Sequence, residues 1–298
     1  MATRQKGTAN SMSTTPTLFD KHPIQPQLAK SNGHTDEAPS INPPLKWAGG
    51  KRWLLPHLES LWHKHKQRRL VEPFCGGLAV TLGLLPERAL LNDVNQHLIN
   101  FYRQIKHGLQ FTIDARNDRD SFNKNRDRFN SLIQEGEDQS SEAAQIFYYL
   151  NRTGYNGLCR FNRRGFFNVP FGKHSNINYV RDFEKYRKVF KGWVFKNKDF
   201  QRLIIQSNDF IYADPPYDVD FTKYSAGGFT WDDQVRLVEW LARQDVPVVL
   251  SNQATDRIVQ LYSQRKYGFK WEFFAAPRRI SCNGDRTAAR EILAVKNV

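Results

Sequence analysis

Apolar positions along this chain follow two alternating rhythms. Short runs of apolar, β-branched and aromatic residues read as strands: one beginning at Arg69, then 89–93, 193–200, 209–213, 246–252, 270–275 and 291–295. Between them, stretches in which apolar residues recur every three or four positions predict helices over 54–62, 79–85, 94–106, 142–150, 182–190 and 256–264. A further helix starts at Thr230-Trp-Asp-Asp233, a capping-box pattern, and runs through Val235, Val238 and Leu241. Another carries Arg116, Arg119, Lys124, Arg126 and Arg128. Strands alternating with helices predict an α/β fold. Residues 1–43 stand apart: rich in Ser, Thr, Pro, Gln and Asn and without a period, they read as a disordered tail ending at Pro43-Pro44.

The strand over 209–213 ends in Asp214-Pro215-Pro216-Tyr217. Proline lacks an N–H and fixes its own φ, and it biases the residue before it toward extended geometry. The stretch therefore presents a carboxylate, bare carbonyls and an aromatic ring at the carboxyl end of a strand, where open α/β sheets bind ligands. Two readings stand side by side. One is a clamp for a planar amine, with the carboxylate and a carbonyl accepting two N–H groups and the ring covering the flat face. The other is an ordinary capped turn, since Asp-Pro and Pro-Pro are common turn punctuation.

Upstream, the strand at Arg69 leads through Glu72-Pro-Phe74-Cys75 into Gly76-Gly77, and the next strand ends in Asp93, about 20 residues after Glu72. In a dinucleotide-type unit, an acid so placed accepts hydrogen bonds from ribose hydroxyls. The turn lacks GxGxxG, so a nucleoside cofactor without phosphates fits better than a pyrophosphate. Gly49-Gly50, just before Lys51 and a helix, frees backbone N–H groups to approach a ligand, with Lys51 able to answer a carboxylate. A glycine turn bearing a surface lysine is the plainer alternative.

Composition adds a partner. The net charge of +14 points to a polyanion, most simply nucleic acid. The stretch over 151–172 interleaves aromatics, Asn, Arg and Gly, with a hairpin expected around Asn162-Arg163-Arg164-Gly165. Arg and Asn are the usual readers of guanine and adenine, and aromatics stack on bases. No apolar run reaches the roughly 18 residues of a membrane span, and the N-terminus lacks a signal-peptide core. Cys75, Cys159 and Cys282 are odd in number and far apart, which reads as free thiols in a reducing, cytoplasmic compartment. The histidines form no ligand spacing, so no metal site is expected.

Taken together, Lys46-Trp-Ala-Gly-Gly-Lys51, Val71-Glu-Pro-Phe-Cys-Gly-Gly77, Asn92-Asp-Val-Asn95, residues 152–172, Asp214-Pro-Pro-Tyr217 and Arg279-Ile-Ser-Cys-Asn-Gly284 resemble the Dam-type DNA adenine-N6 methyltransferases in the family's own order. The resemblance implies a Rossmann-like, S-adenosylmethionine-dependent methyltransferase sheet over 44–108 and 182–298. An inserted, mainly helical target-recognition domain with a β-hairpin would occupy 109–181. It implies a monomeric enzyme that methylates N6 of an adenine in double-stranded DNA, GATC being the first expectation. Catalysis would fall to Asp214, Pro215, Pro216 and Tyr217. The cofactor would be lined by Trp47, Lys51, Phe74, Gly76, Asp93, Asp199, Phe200 and Asp214, and DNA would be contacted by Lys46, Tyr155, Asn156, Leu158, Arg160 and Pro170. The chain departs from the family pattern in having Leu78 at the last glycine position of the first motif. Phe166 stands where relatives reading GATC often carry an acid, and His174 where Tyr is common. A cytosine-N4 methyltransferase and a non-catalytic nucleic-acid-binding protein with the same fold are the competing readings.

Overall fold

The structure, a computed structural model, describes residues 41–218, 228–276 and 289–298, which belong to one compact unit. Most of the tail, most of the polar stretch over 218–228 and the basic loop over 278–286, with Cys282, lie outside the described residues.

Seven strands form one sheet: β1 (Arg69–Glu72), β2 (Ala89–Asn92), β3 (Trp193–Lys196), β4 (Asp209–Ala213), β5 (Val248–Gln253), β6 (Lys270–Ala276) and β7 (Ala289–Lys296). Their spatial order is β3-β2-β1-β4-β5-β7-β6. The first five run parallel, and β7 pairs antiparallel with both β5 and β6. Val71 in β1 stands between Leu90 and Ile211, so the chain winds outward in both directions from the β1–β4 pair. That pair is the topological switch point, and open α/β sheets bind ligands beyond the carboxyl ends of the strands at such a point. Every residue of β2 and β4 is buried, as central parallel strands covered on both faces require. Edge strand β3 alternates buried and exposed positions.

Helices α1 (Leu55–His63), α2 (Thr81–Leu84), α3 (Gln96–Lys106), α4 (Arg119–Glu135), α5 (Ser141–Thr153), α6 (Glu184–Phe190), α7 (Trp231–Ala242) and α8 (Asp256–Tyr262) complete the fold. One core joins Leu58 and Leu61 of α1, Leu98 and Ile99 of α3 and Phe147 of α5. On the other side, Leu237, Val238 and Leu241 of α7 and Ile258 and Leu261 of α8 pack with Val71 and Ile211. The fold is therefore the α/β architecture expected.

Several boundaries are shorter than periodicity predicts, each for a local reason. Helix α3 begins at Gln96 because the Asn95 side chain accepts from His97 N and Leu98 N. Arg116 lies outside α4, which Asp118 caps at Ser121 N. Strand β3 stops at Lys196, and Asp199 starts a single 3-10 turn over Phe200–Arg202. The capping box at Thr230 and Asp233 is present as expected.

Residues 109–181 leave and rejoin the sheet beside an antiparallel bridge between Gln110 and Asp182. They contribute α4, α5 and the stretch after it. The expected hairpin is a tight one: a Phe161–Phe167 bridge, Asn162 N donating to Phe166 O at 2.9 Å, and Asn162 Oδ1 accepting from Arg164 N and Phe166 N. No helix among the described residues is long and apolar enough to cross a membrane.

At the amino end of β4, fully buried Asp209 accepts two hydrogen bonds from Arg69, at 2.8 and 2.7 Å, and one from Gln206 N at 2.7 Å. Removing one partner of such a pair leaves the rest uncompensated. Asp209→Ala is expected to lower stability by about 3 kcal/mol, read from the urea midpoint in equilibrium unfolding.

Candidate active site

Four acids end or flank strands on the carboxyl side of the sheet: Glu72 at the end of β1, Asp93 after β2, Asp214 after β4, and Glu291 on antiparallel β7. Asp214 is held from two sides. Ser251 of β5 donates to its Oδ1 at 2.9 Å, and Lys51 Nζ lies 3.0 Å from its Oδ2. Ser251 is in turn hydrogen-bonded to Tyr212 at 3.0 Å. The carbonyl of Pro216 is not bare: Gln234 of α7 donates to it at 2.8 Å, and Asn252 of β5 holds that Gln. Tyr217 donates its hydroxyl to Glu291 at 2.5 Å, and Lys51 Nζ sits 4.6 Å from its ring centre.

Lys51 is buried, so the plainer reading of a surface lysine does not hold. Its amine is occupied by Asp214, by Gly49 O at 3.1 Å and, more distantly, by Glu291 at 4.0 Å. One ammonium thus faces two carboxyls, with Glu72 behind them. Burial raises the Asp214 and Glu291 carboxyls, opposed by Lys51 in each case. Glu72, also buried, is pushed to about 8 by burial, although Thr81 donates a hydrogen bond to it. The cluster carries more acid than base among the described residues, an arrangement suited to a cation.

Trp47 explains the glycine turn. A Cβ on Gly76 would lie 2.7 Å from the Trp47 Nε1, and one on Gly77 2.7 Å from its Cβ. Gly76 also has φ +42, and its N–H donates to Asp93 Oδ2 at 3.1 Å. Asp93 Oδ1 accepts from Asn95 N at 2.9 Å, and burial raises this carboxyl to about 6. Asn92 ties the neighbouring loops together through Pro73 O at 3.0 Å and Lys198 O at 2.9 Å. Leu78 keeps a left-handed φ of +62 although it is not glycine, and its side chain is wholly buried.

Phe74 and Phe200 lie 5.7 Å apart, and Phe74 meets Phe229 edge-on at 5.4 Å, an aromatic wall beside the glycine turn. Asp199 is paired with Arg236 at 2.8 Å, and that guanidinium covers the Phe200 ring at 4.9 Å.

The expected DNA-contacting residues gather after α5. Tyr155 and Asn156 are exposed, and Asn156 adopts φ +52. Pro170 is exposed and pairs with this turn, its carbonyl accepting from Tyr155 N at 2.9 Å. Leu158 packs against the core. Arg160 turns back on Asn168, donating to its Oδ1 at 2.8 Å and its carbonyl at 3.0 Å. The Lys46 amine donates to Arg152 O at 3.1 Å and lies 3.3 Å from His174 Nε2, so the departure at His174 borders an expected contact residue.

The structure therefore brings Lys51, Asp214 and Tyr217 together, and Trp47, Gly76 and Asp93 together. Residues 47–51 join the two groups. Ser251, Glu291, Gln234, Arg236 and Asn151 were not singled out from sequence. For Ser251 and Glu291 the available signal was a polar residue inside an otherwise apolar strand.

The chain is similar to known proteins over most of its length. The profile of the D12 class N6 adenine-specific DNA methyltransferases matches residues 47–275. The DNA adenine methylase of Vibrio cholerae is 35% identical over 269 residues, covering 84% of this chain and 94% of that protein. The Retron Ec67 DNA adenine methylase of Escherichia coli is 34% identical over 84% of this chain and 90% of its own length. The type II methyltransferase M1.LlaDCHI of Lactococcus lactis is 36% identical over 75% of this chain and 85% of its own length.

Two outcomes follow from the packing and the charges. Leu78→Gly relieves a left-handed side chain worth about 1–2 kcal/mol but empties a fully buried leucine site worth about 2–5 kcal/mol. The cavity dominates, so a lower melting temperature is expected. Glu72 binds a proton in the folded chain up to about pH 8. In the unfolded chain it loses that proton near pH 4.3. The unfolded state therefore binds fewer protons between these values, and stability falls as pH rises through the window. Glu72→Gln keeps the neutral shape and removes this penalty. Its stability relative to the unmodified chain is expected to rise by about 2–4 kcal/mol from pH 5 to pH 8 in denaturant titrations.

Proposed function

Because the chain belongs to the D12 class N6 adenine-specific DNA methyltransferases, we propose that it transfers a methyl group from S-adenosylmethionine to N6 of an adenine in GATC, turned out of the duplex. The observation that carries this reading is the Asp214 carboxylate at the carboxyl end of β4, positioned by Ser251 and Lys51.

The residues present suit the cofactor. The acid-rich cluster matches a cation, the half-buried Asp93 can accept from ribose hydroxyls, and Phe74 and Phe200 offer flat apolar surface for an adenine ring. Trp47, over the glycine turn, and Lys51, holding Asp214, complete the lining. When bound, S-adenosylmethionine supplies an electrophilic methyl group on its sulfonium.

An adenine stacked in a duplex is out of reach, so the base must be flipped. Tyr155 and Asn156 stand exposed where they can enter the helix, Lys46 adds a further DNA contact, and Leu158, Arg160 and Pro170 read neighbouring pairs. Arg160 would exchange Asn168 for a base edge. The flipped adenine N6 is a poor nucleophile because its lone pair is delocalised into the ring. Asp214 accepts one N6 hydrogen and the Pro215 carbonyl the other, which favours pyramidal nitrogen and frees the lone pair. Gln234 keeps the Pro216 carbonyl occupied, fixing the loop for that task. Tyr217 stacks on the base, its tilt held by Glu291. The N6 proton becomes acidic only after methyl transfer, so Asp214 need not be a strong base. Orientation and fixed dipoles supply the acceleration.

Asp214→Ala is expected to lower the rate of labelled-methyl transfer to unmethylated duplex DNA by at least about 100-fold while leaving most DNA affinity in gel-shift titration. Near wild-type turnover in this variant would sink the assignment. Methylome sequencing of plasmid from a methylation-deficient host expressing the chain is expected to show N6-methyladenine in GATC. N4-methylcytosine instead would establish the cytosine reading.

A further inference from the structure

Asn151, in the last turn of α5, is 1% exposed and lies 105 positions from its principal partner. Its Oδ1 accepts from Lys46 N at 2.9 Å. Its Nδ2 donates to Lys46 O at 2.8 Å and to Gly157 O at 3.2 Å. One carboxamide thus takes both main-chain groups of residue 46 and a carbonyl at the base of the exposed Tyr155–Asn156 turn. Gly157 has φ +64, and a Cβ there would collide with the Lys46 side chain, so the two segments are pressed together as well as bonded.

What lies on either side of this junction gives it consequence. Directly after Lys46 comes Trp47, lying against Gly76 and Gly77, and then Lys51, which holds Asp214. Directly after Asn151 the chain reaches Tyr155 and Asn156. The main chain of residue 46 could have been satisfied by water or by a neighbouring turn. Instead it is satisfied by a buried side chain from the segment that carries the exposed turn. A buried carboxamide left unpaired is unfavourable, so its position and that of residue 46 are mutually fixed.

We propose that Asn151 is a positioning residue that locks the DNA-contacting turn and the cofactor-covering Trp47 into one register, so that a side chain touching neither substrate governs affinity for both. This rests on the methyltransferase reading above. A merely structural role would lower the folded fraction, and with it the apparent kcat, while leaving binding constants unchanged. A positioning role moves the constants themselves.

The test uses the full chain, with Asn151→Asp, Gly157→Ala and Lys46→Ala compared with the unmodified protein. The dissociation constant of S-adenosylhomocysteine is measured by calorimetry without DNA, and the KM for plasmid DNA by labelled-methyl transfer. Asn151→Asp keeps the shape but turns both donors into acceptors facing carbonyls. It is expected to weaken both constants by about tenfold, the effect of about one net hydrogen bond, with kcat changed by less than about threefold. Gly157→Ala presses on Lys46 from the other side and is expected to give the same paired signature, which keeps the proposal testable if Asn151→Asp is too unstable to assay. Lys46→Ala retains the main-chain groups and is expected to raise the DNA KM alone. Constants that stay within about twofold of wild type in Asn151→Asp and Gly157→Ala, or a change in only one of the two, would overturn the proposal. An unmodified chain that binds no S-adenosylhomocysteine would overturn the methyltransferase reading instead.

Discussion

The buried ammonium of Lys51 is the interaction on which the rest of the site depends. It gathers groups from distant parts of the chain: Gly49 O beside it, Asp214 after β4, Glu291 on β7 and the ring of Tyr217. An ammonium is retained in such a place only when paired, because desolvation would otherwise favour its neutral form. The pairing works in both directions. Lys51 favours the charged forms of Asp214 and Glu291 against the burial that opposes them. In return, these acids hold the segment that begins with Trp47. Geometry at the strand end is thereby set before any ligand arrives, as electrostatic preorganisation requires.

The recognition stretch is fastened to the sheet in a comparable way, by packing. Phe101 of α3 stacks on Tyr148 of α5 with centroids 5.4 Å apart, and Phe147 joins the same core. Helix α3 starts just beyond Asp93. At its first turn the Asn95 amide donates to Cys159 Sγ at 3.3 Å, and His97 stacks on Phe161 at 4.8 Å. Burial lowers the His97 pKa to about 4, so the stack is between a neutral imidazole and a phenyl ring at neutral pH. The hairpin at Asn162 therefore rides on a helix whose amino end also positions the Asp93 carboxylate.

Strand order was legible in the sequence only as alternation. Periodicity located β1, β2, β4 and β5, and the two prolines after Ala213 marked the end of β4, because such residues act through their own backbone. That β7 inserts between β5 and β6 was not legible, since pairing is settled by packing across the sheet rather than by a strand's own pattern. The same limit applies to the site. Gly76, Asp93 and Asp214 carry local signatures. Glu291 looks like any acid in a C-terminal strand until β7 delivers it to Tyr217. Asn151 looks like a polar helix residue until its partner, 105 positions away, is known. Lys51 can be read as a surface lysine as easily as a site residue until Asp214 is seen to lie 3.0 Å from it.

Ser251 and Asn252 are neighbours on β5, so they face opposite sides of the sheet. Yet both grip the same tetrapeptide: Ser251 through Asp214, and Asn252 through Gln234 and the Pro216 carbonyl. Their ladder partners on β7 are Leu293 and Ile292, and the next rung pairs Gln253 with Glu291. Strand β5 thus acts as a ruler whose graduations are single residues. A slip of one position would exchange the two grips between faces and carry Glu291 away from Tyr217. An insertion or deletion in either strand would put its graduations out of step with the clamp.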